Sequence, residues 1–197
     1  TTHQRMVVTR HGGPEVLQMV EEELPEPQAG ELRVKVMAAG VSAYDLMFRS
    51  SGSLPGTPKV PFTIGTDIVG VVDKLGEGVP GVAPGQTVAG ATFCFDGLGG
   101  YTEYICLPAS EVVPVPPGVD PAQAVCLVAN YLTAHMAMHE TAKVHAGERV
   151  LVHGAAGGVG TALLELGKLA GLEMYGTASE PKHELVSRLG ATPINYQ

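Results

Sequence analysis

The segment RVLVHGAAGGVG, residues 149–160, decides the fold. Arg149 to His153 is a short, almost continuous apolar run, as expected of a strand covered on both faces of a parallel sheet. Gly154-Ala155-Ala156-Gly157-Gly158-Val159-Gly160 then turns the chain into a helix from Gly158 to Ala170, closed by Gly171. Leu172 to Ala178 reads as a second strand and Pro181 to Leu189 as a second helix, closed by Gly190. Thr192 to Tyr196 begins a third strand. The order β-α-β-α-β is that of the first half of a doubly wound nucleotide-binding sheet.

Upstream the pattern is different. Asp120-Pro121 opens a helix, with Asp as N-cap and Pro at the first helical position, and apolar residues continue to about Met138. Before residue 120, short apolar runs alternate with Gly and Pro: RMVVTR, LRVKVMAAGVS, TDIVGVVDKLG, QTVAGATF and YTEYICLP. Their length and β-branched content predict strands of a compact β domain. PGVAPGQTV and VPVPPGVDP read as turn or linker segments, because proline fixes φ and donates no hydrogen bond. The expected fold class is therefore α/β plus β. A β domain spans residues 1–120, and half of a Rossmann domain spans residues 121–197.

Composition narrows the function. With 45% hydrophobic and only 16% charged residues, the 197-residue chain buries a core rather than staying disordered. Its net charge of −8 excludes a protein that grips a nucleic-acid backbone, which needs a cationic surface. Val150 to Leu164 lacks charge but is broken by glycines and is too short to cross a bilayer. Thr1 to Arg10 carries no signal-peptide pattern. Cys94, Cys106 and Cys126 are odd in number and scattered, which fits a reducing compartment. The expectation is a cytoplasmic protein with no transmembrane segment and no nucleic-acid partner.

The glycine-rich loop has the chemistry of an anion site. Gly157 or Gly158 lets backbone amides approach a pyrophosphate, and Gly160 permits close helix–strand packing. The helix N-terminus adds unpaired N–H groups and a positive dipole end. Ala155 stands where the G-x-G-x-x-G pattern has its first glycine. The cofactor is selected about twenty residues on, where an NAD-binding fold carries Asp or Glu for the ribose 2′-hydroxyl. Here that position is Ser179, which leaves room for a 2′-phosphate, and Lys182 is near enough to neutralise it. Glu180 opposes that reading by repulsion, and Ser179 is also a possible helix cap. NADP is favoured over NAD.

Several segments carry a resemblance: AAGVSAYDLMFRSSG (38–52), GTDIVGVVDKLGEGV (65–79), GGYTEYICLPA (99–109), LVANYLTAHMAM (127–138), the AAGGVG loop and GTASEPKHE (176–184). Together they resemble the zinc-free quinone-oxidoreductase branch of the medium-chain dehydrogenase/reductase superfamily, and its VAT-1-like members especially. The resemblance implies a GroES-like substrate domain, a Rossmann domain, and NADPH-dependent reduction of quinones or α,β-unsaturated carbonyls. It also implies a homodimer paired through the nucleotide domain. Zinc-dependent relatives place ligands where this chain has Ser42, Thr66-Asp67 and Asn130, and neither Ser42, Thr66 nor Asn130 is a usual zinc ligand. His135, His139 and His145 lack the glutamate of an H-E-x-x-H site and read as surface histidines, so no metal is expected.

Without a metal, hydrogen-bond donors must stabilise the anion that forms as the substrate is reduced. By resemblance these lie in Gly40-Val41-Ser42-Ala43-Tyr44-Asp45, where Ser42 replaces the family's Asn and Asp45 is kept. Tyr44 offers a phenol as donor or is a packing residue, and Asp45 either takes part or caps the turn that follows. Asn130 and Thr133 match positions that line the nicotinamide site, and Lys182 and Tyr196 match those that hold the 2′-phosphate. Two other readings share the fold: a non-catalytic VAT-1-like interaction protein, and an enoyl reductase module of a polyketide or fatty-acid synthase. A doubly wound domain has about six strands, so a truncation, a natural fragment or one portion of a larger protein is expected. These residues alone would then bind the adenosine half of the dinucleotide and turn nothing over.

Overall fold

The computed structural model describes residues 1–53, 55–92 and 97–196, so Cys94 lies outside the described residues. Two compact units are present, Thr1–Val128 and Ala129–Gln197.

In the first unit the strands are β1 (Thr2–Val8), β2 (Leu17–Glu23), β3 (Glu31–Ala39), β4 (Asp67–Leu75), β5 (Thr87–Ala91), β6 (Tyr104–Pro108) and β7 (Val112–Pro114), with helix α1 (Ala43–Ser50) after β3. β1 and β2 form an antiparallel hairpin, and the other five make an antiparallel sheet in the order β6-β3-β4-β5-β7. Period-two alternation puts Leu32 and Val34 of β3, Ile68 and Val72 of β4, and Ile105 and Leu107 of β6 into one core. A second cluster joins Val8, Val16, Phe48, Phe62 and Ile64, and so anchors α1 by Phe48.

One local expectation is corrected. VPVPPGVDP is not wholly a linker, because Val113 and Pro114 belong to β7. β7 is an edge strand paired only with β5, a place where proline's missing N–H costs little. Leu17–Glu23 is a strand although three of its residues are glutamates. Its pairing with β1 over the full seven residues supplies what its composition does not.

Helix α2 (Pro121–His135) starts as the sequence predicts, with Asp120 Oδ1 accepting from Ala122 N at 2.8 Å. It continues as a π-helix over Met136–Ala142 and stops at Lys143, whose φ is +52°. β8 (Arg149–Val152), α3 (Gly158–Leu169), β9 (Glu173–Ala178), α4 (His183–Arg188) and β10 (Thr192–Asn195) follow. The three strands are parallel in the order β10-β9-β8, the arrangement of the first half of a Rossmann sheet. Both expected glycine closures occur: Gly171 and Gly190 have positive φ, and the residue after each donates back into its helix. The helix expected over 181–189 is divided, with a 3-10 turn at Glu180–Lys182 ahead of α4. Pro181 at the first positions of that turn favours the tighter start.

Candidate functional site

The site is built where β8 ends. β8 stops at Val152, which pairs with Gly176, while β9 runs on to Ala178. The chain reverses at Gly154, whose φ of +66° suits glycine. Thr177 holds the reversal by two bonds: its carbonyl accepts from Ala155 N at 3.0 Å, and its Oγ1 accepts from Gly154 N at 3.1 Å. Ala155 is fully buried, and a methyl at Gly176 would sit 2.6 Å from the Ala155 Cβ. Ala155 and Gly176 are therefore a matched pair, which explains why alanine serves at the first motif position.

Gly160 brings α3 against this turn. A Cβ there would lie 2.4 Å from Gly154 O and 2.8 Å from two Ala155 backbone atoms. Gly157 is the N-cap of α3 and supplies no side-chain cap. The first return bond of α3 runs from Thr161 N to Gly157 O at 2.8 Å, so the amides of Gly158, Val159 and Gly160 precede the helix's own bonding and suit an anion.

A cavity of about 220 Å³ opens beside this turn. It is lined by Gly154, Ala156, Gly157, Thr177, Ala178, Ser179, Lys182 and Tyr196. Six residues chosen from the sequence thus meet in one hollow: Gly154, Ala156, Gly157, Ser179, Lys182 and Tyr196. Ser179 sits at the N-cap of the 3-10 turn, but its side chain makes no capping bond, which leaves the hydroxyl available. Glu180 is exposed and does not line the cavity. Thr177 and Ala178 were not singled out from the sequence. The rule that ligands bind beyond the carboxyl ends of parallel strands points to them, since β9 ends at Ala178.

The remaining cofactor candidates do not line the cavity. Ala155 and Gly160 are buried under it, and Gly158 and Val159 lie in the first turn of α3. Asn130 packs its amide over Gly158, where a Cβ would come within 2.9 Å of both amide heteroatoms. Thr133 is exposed and donates to Ala129 O at 2.7 Å. Tyr131 donates to the Glu165 carboxylate, and that bond together with partial burial pushes its phenol up to about 12. The His135 and His139 rings lie tilted at 49° to each other with centroids 4.6 Å apart, and both are exposed. Among the described residues no three His, Cys, Asp or Glu side chains are gathered to hold a metal ion. No helix among them is long and apolar enough to cross a membrane.

In the first unit, Ser42, Tyr44 and Asp45 fall at the start of α1 and face different ways. Asp45 is 1% exposed. Its Oδ2 accepts from Ser42 N at 2.7 Å and from Ser42 Oγ at 2.8 Å, and its Oδ1 accepts from Gly65 N at 2.9 Å. Ser42 and Asp45 form a capping box. Tyr44, by contrast, is 61% exposed, with its ring 5.8 Å from that of Phe48. Because both carboxylate oxygens of Asp45 face N–H donors, an amide cannot replace it. Asp45→Asn and Asp45→Ala are each expected to lower the unfolding free energy by about 2 kcal/mol. Urea denaturation checks this.

Residues 28–117 match the alcohol dehydrogenase GroES-like domain family. A quinone oxidoreductase of Rattus norvegicus is 38% identical over 190 residues, which make up 95% of this chain and 56% of that protein. Over most of its length the chain is similar to the quinone-oxidoreductase branch of the medium-chain dehydrogenase/reductase superfamily. It superimposes on the crystal structure of the human synaptic vesicle membrane protein VAT-1 homolog-like protein with a TM-score of 0.91 and 31% identity, covering 100% of this chain and 62% of that one. A mycobacterial protein solved in complex with NADPH is 34% identical with a TM-score of 0.87, over 98% of this chain and 59% of its own. The chain spans about half the length of the curated quinone oxidoreductases it matches.

Proposed function

We propose that the chain is part of an NADPH-dependent, zinc-independent oxidoreductase that delivers hydride to a quinone or an α,β-unsaturated carbonyl. Residues 1–120 serve as its substrate domain and residues 121–197 as the first half of its NADP-binding domain. The observation that carries this reading is the cavity beside the loop, where Ser179, Lys182 and Tyr196 face backbone from Gly154 to Gly157. A site of this composition fits the adenosine end of NADPH. Backbone amides at the start of α3 take the pyrophosphate, the Lys182 ammonium balances the 2′-phosphate, and the Ser179 and Tyr196 hydroxyls complete its hydrogen bonds. NADPH held there supplies the hydride. The similar mycobacterial protein complexed with NADPH supports the same choice of cofactor. The family resemblance supports a role for Asn130 and Thr133 on the nicotinamide side of the site.

Zinc independence rests on residue chemistry. Ser42, Thr66 and Asn130 stand at the relatives' ligand positions, and Asp45 spends its carboxylate on the α1 cap and Gly65. Tyr44 is then the donor in this segment with a free approach from solvent, and its phenol can protonate or hydrogen-bond a substrate as it is reduced. The test is steady-state reduction of a quinone and of an enone with NADPH by the full-length protein, before and after chelation. Activity is expected to survive chelation, and Tyr44→Phe is expected to lower kcat about a hundredfold with little change in stability. An unchanged kcat would make Tyr44 a packing residue, and NADPH binding without turnover of either substrate would favour a non-catalytic interaction protein.

A further inference from the structure

We infer that Thr177 is a positioning residue for the pyrophosphate, acting through the loop rather than on the ligand's charge. This rests on the dinucleotide reading above and deepens it. Thr177 is buried at the end of β9, 23 positions along the chain from Gly154. It accepts two consecutive loop amides, Gly154 N on its hydroxyl and Ala155 N on its carbonyl. The carbonyl bond would be made by any residue at that position. The hydroxyl bond is special to this side chain, and it falls on the residue with positive φ that starts the reversal.

A second partner lies on the same hydroxyl. His153 Nδ1 lies 3.3 Å from Thr177 Oγ1. With one lone pair of Oγ1 accepting from Gly154, its other lone pair or its O–H meets Nδ1 in either imidazole tautomer, so His153, Thr177 and Gly154 form a short relay across the turn. The relay fixes Gly154, and Gly154 O in turn accepts from Gly157 N at 2.9 Å, at the N-cap of α3. The direction of the anion-binding amides is thereby tied to one hydroxyl on the neighbouring strand. Valine has nearly the same shape and suits a parallel strand equally well, but it cannot accept from Gly154.

The test measures two ligands on Thr177→Val, Thr177→Ser and the unaltered protein. NADPH needs both subsites. Adenosine 2′-monophosphate carries the 2′-phosphate but no pyrophosphate, so it probes the Ser179, Lys182 and Tyr196 side alone. Thr177→Val is expected to weaken NADPH about tenfold while changing adenosine 2′-monophosphate less than about twofold. Thr177→Ser keeps the hydroxyl and is expected to bind NADPH within about threefold of the unaltered protein. Equal losses for both ligands would show a merely structural role and overturn the inference, as would full NADPH affinity in Thr177→Val or failure of the serine to rescue. If the unaltered protein binds neither ligand, the dinucleotide reading itself fails, a result distinct from all of these.

Discussion

Replacing Lys182 by alanine is expected to lower NADPH affinity about thirtyfold and to leave NADH affinity within about twofold. The size follows from the loss of one charge-assisted hydrogen bond to a phosphate. Its selectivity follows from the cavity, because the two dinucleotides differ only in the 2′-phosphate. Among the described residues no acidic side chain lines that cavity, so nothing there is placed to hold a bare ribose diol as the Asp or Glu of an NAD-binding fold would. Glu180 is exposed and outside the lining, so solvent screens the repulsion that the sequence alone set against NADPH. Raising salt should reduce NADPH affinity more in the unaltered protein than in Lys182→Ala, since screening acts on the ammonium–phosphate pair. Adding Ser179→Asp to Lys182→Ala should turn the preference toward NADH. Fluorescence titration with both cofactors reads all of these, and equal NADPH affinity with and without Lys182 would remove this residue from the site.

The second large effect is expected at Gly160, and there it falls on stability. A Cβ at this position would meet Gly154 O at 2.4 Å and the Ala155 backbone at 2.8 Å. These are main-chain atoms held by Thr177, so they cannot turn aside as a side-chain end would. Gly160→Val is expected to cost about 3 kcal/mol in the nucleotide-binding unit, because α3 must move off the turn to make room. Gly157→Ala provides the contrast. Its Cβ would meet only Gly154 O, at 3.2 Å, and Gly157 lines the cavity. That variant should stay folded and lose NADPH affinity, whereas Gly160→Val should lose the melting transition of this unit first. Thermal denaturation followed alongside NADPH titration separates the two, and a stable Gly160→Val would contradict the close packing.

Much of the nucleotide half is legible in the chain because its signals are local. The strand RVLVH, the glycines that close α3 and α4, and the Asp120-Pro121 start each depend on residues within a turn of one another. Ser179 and Lys182 are also reachable from the sequence by counting from the loop along a known topology, and Tyr196 through the family resemblance. The β domain is less transparent. β2 is hidden by its glutamates and β7 by its prolines, because a strand at a sheet edge or in a hairpin is set by its partner rather than by its own composition.

Sequence alone determined the βαβαβ order and the glycine-rich loop, and it singled out Ser179, Lys182 and Tyr196 as candidates beside that loop. Tertiary structure alone decided which polar groups face inward and which remain open to a ligand. It turned Asp45 onto Ser42 and Gly65 while leaving Tyr44 exposed one residue away, and it joined Thr177 to Gly154 across 23 positions. The physical reason is the same in each case. A hydrogen bond between distant parts of the chain is fixed by strand register and helix placement, and neither spacing nor residue type records where those will bring a donor to its acceptor.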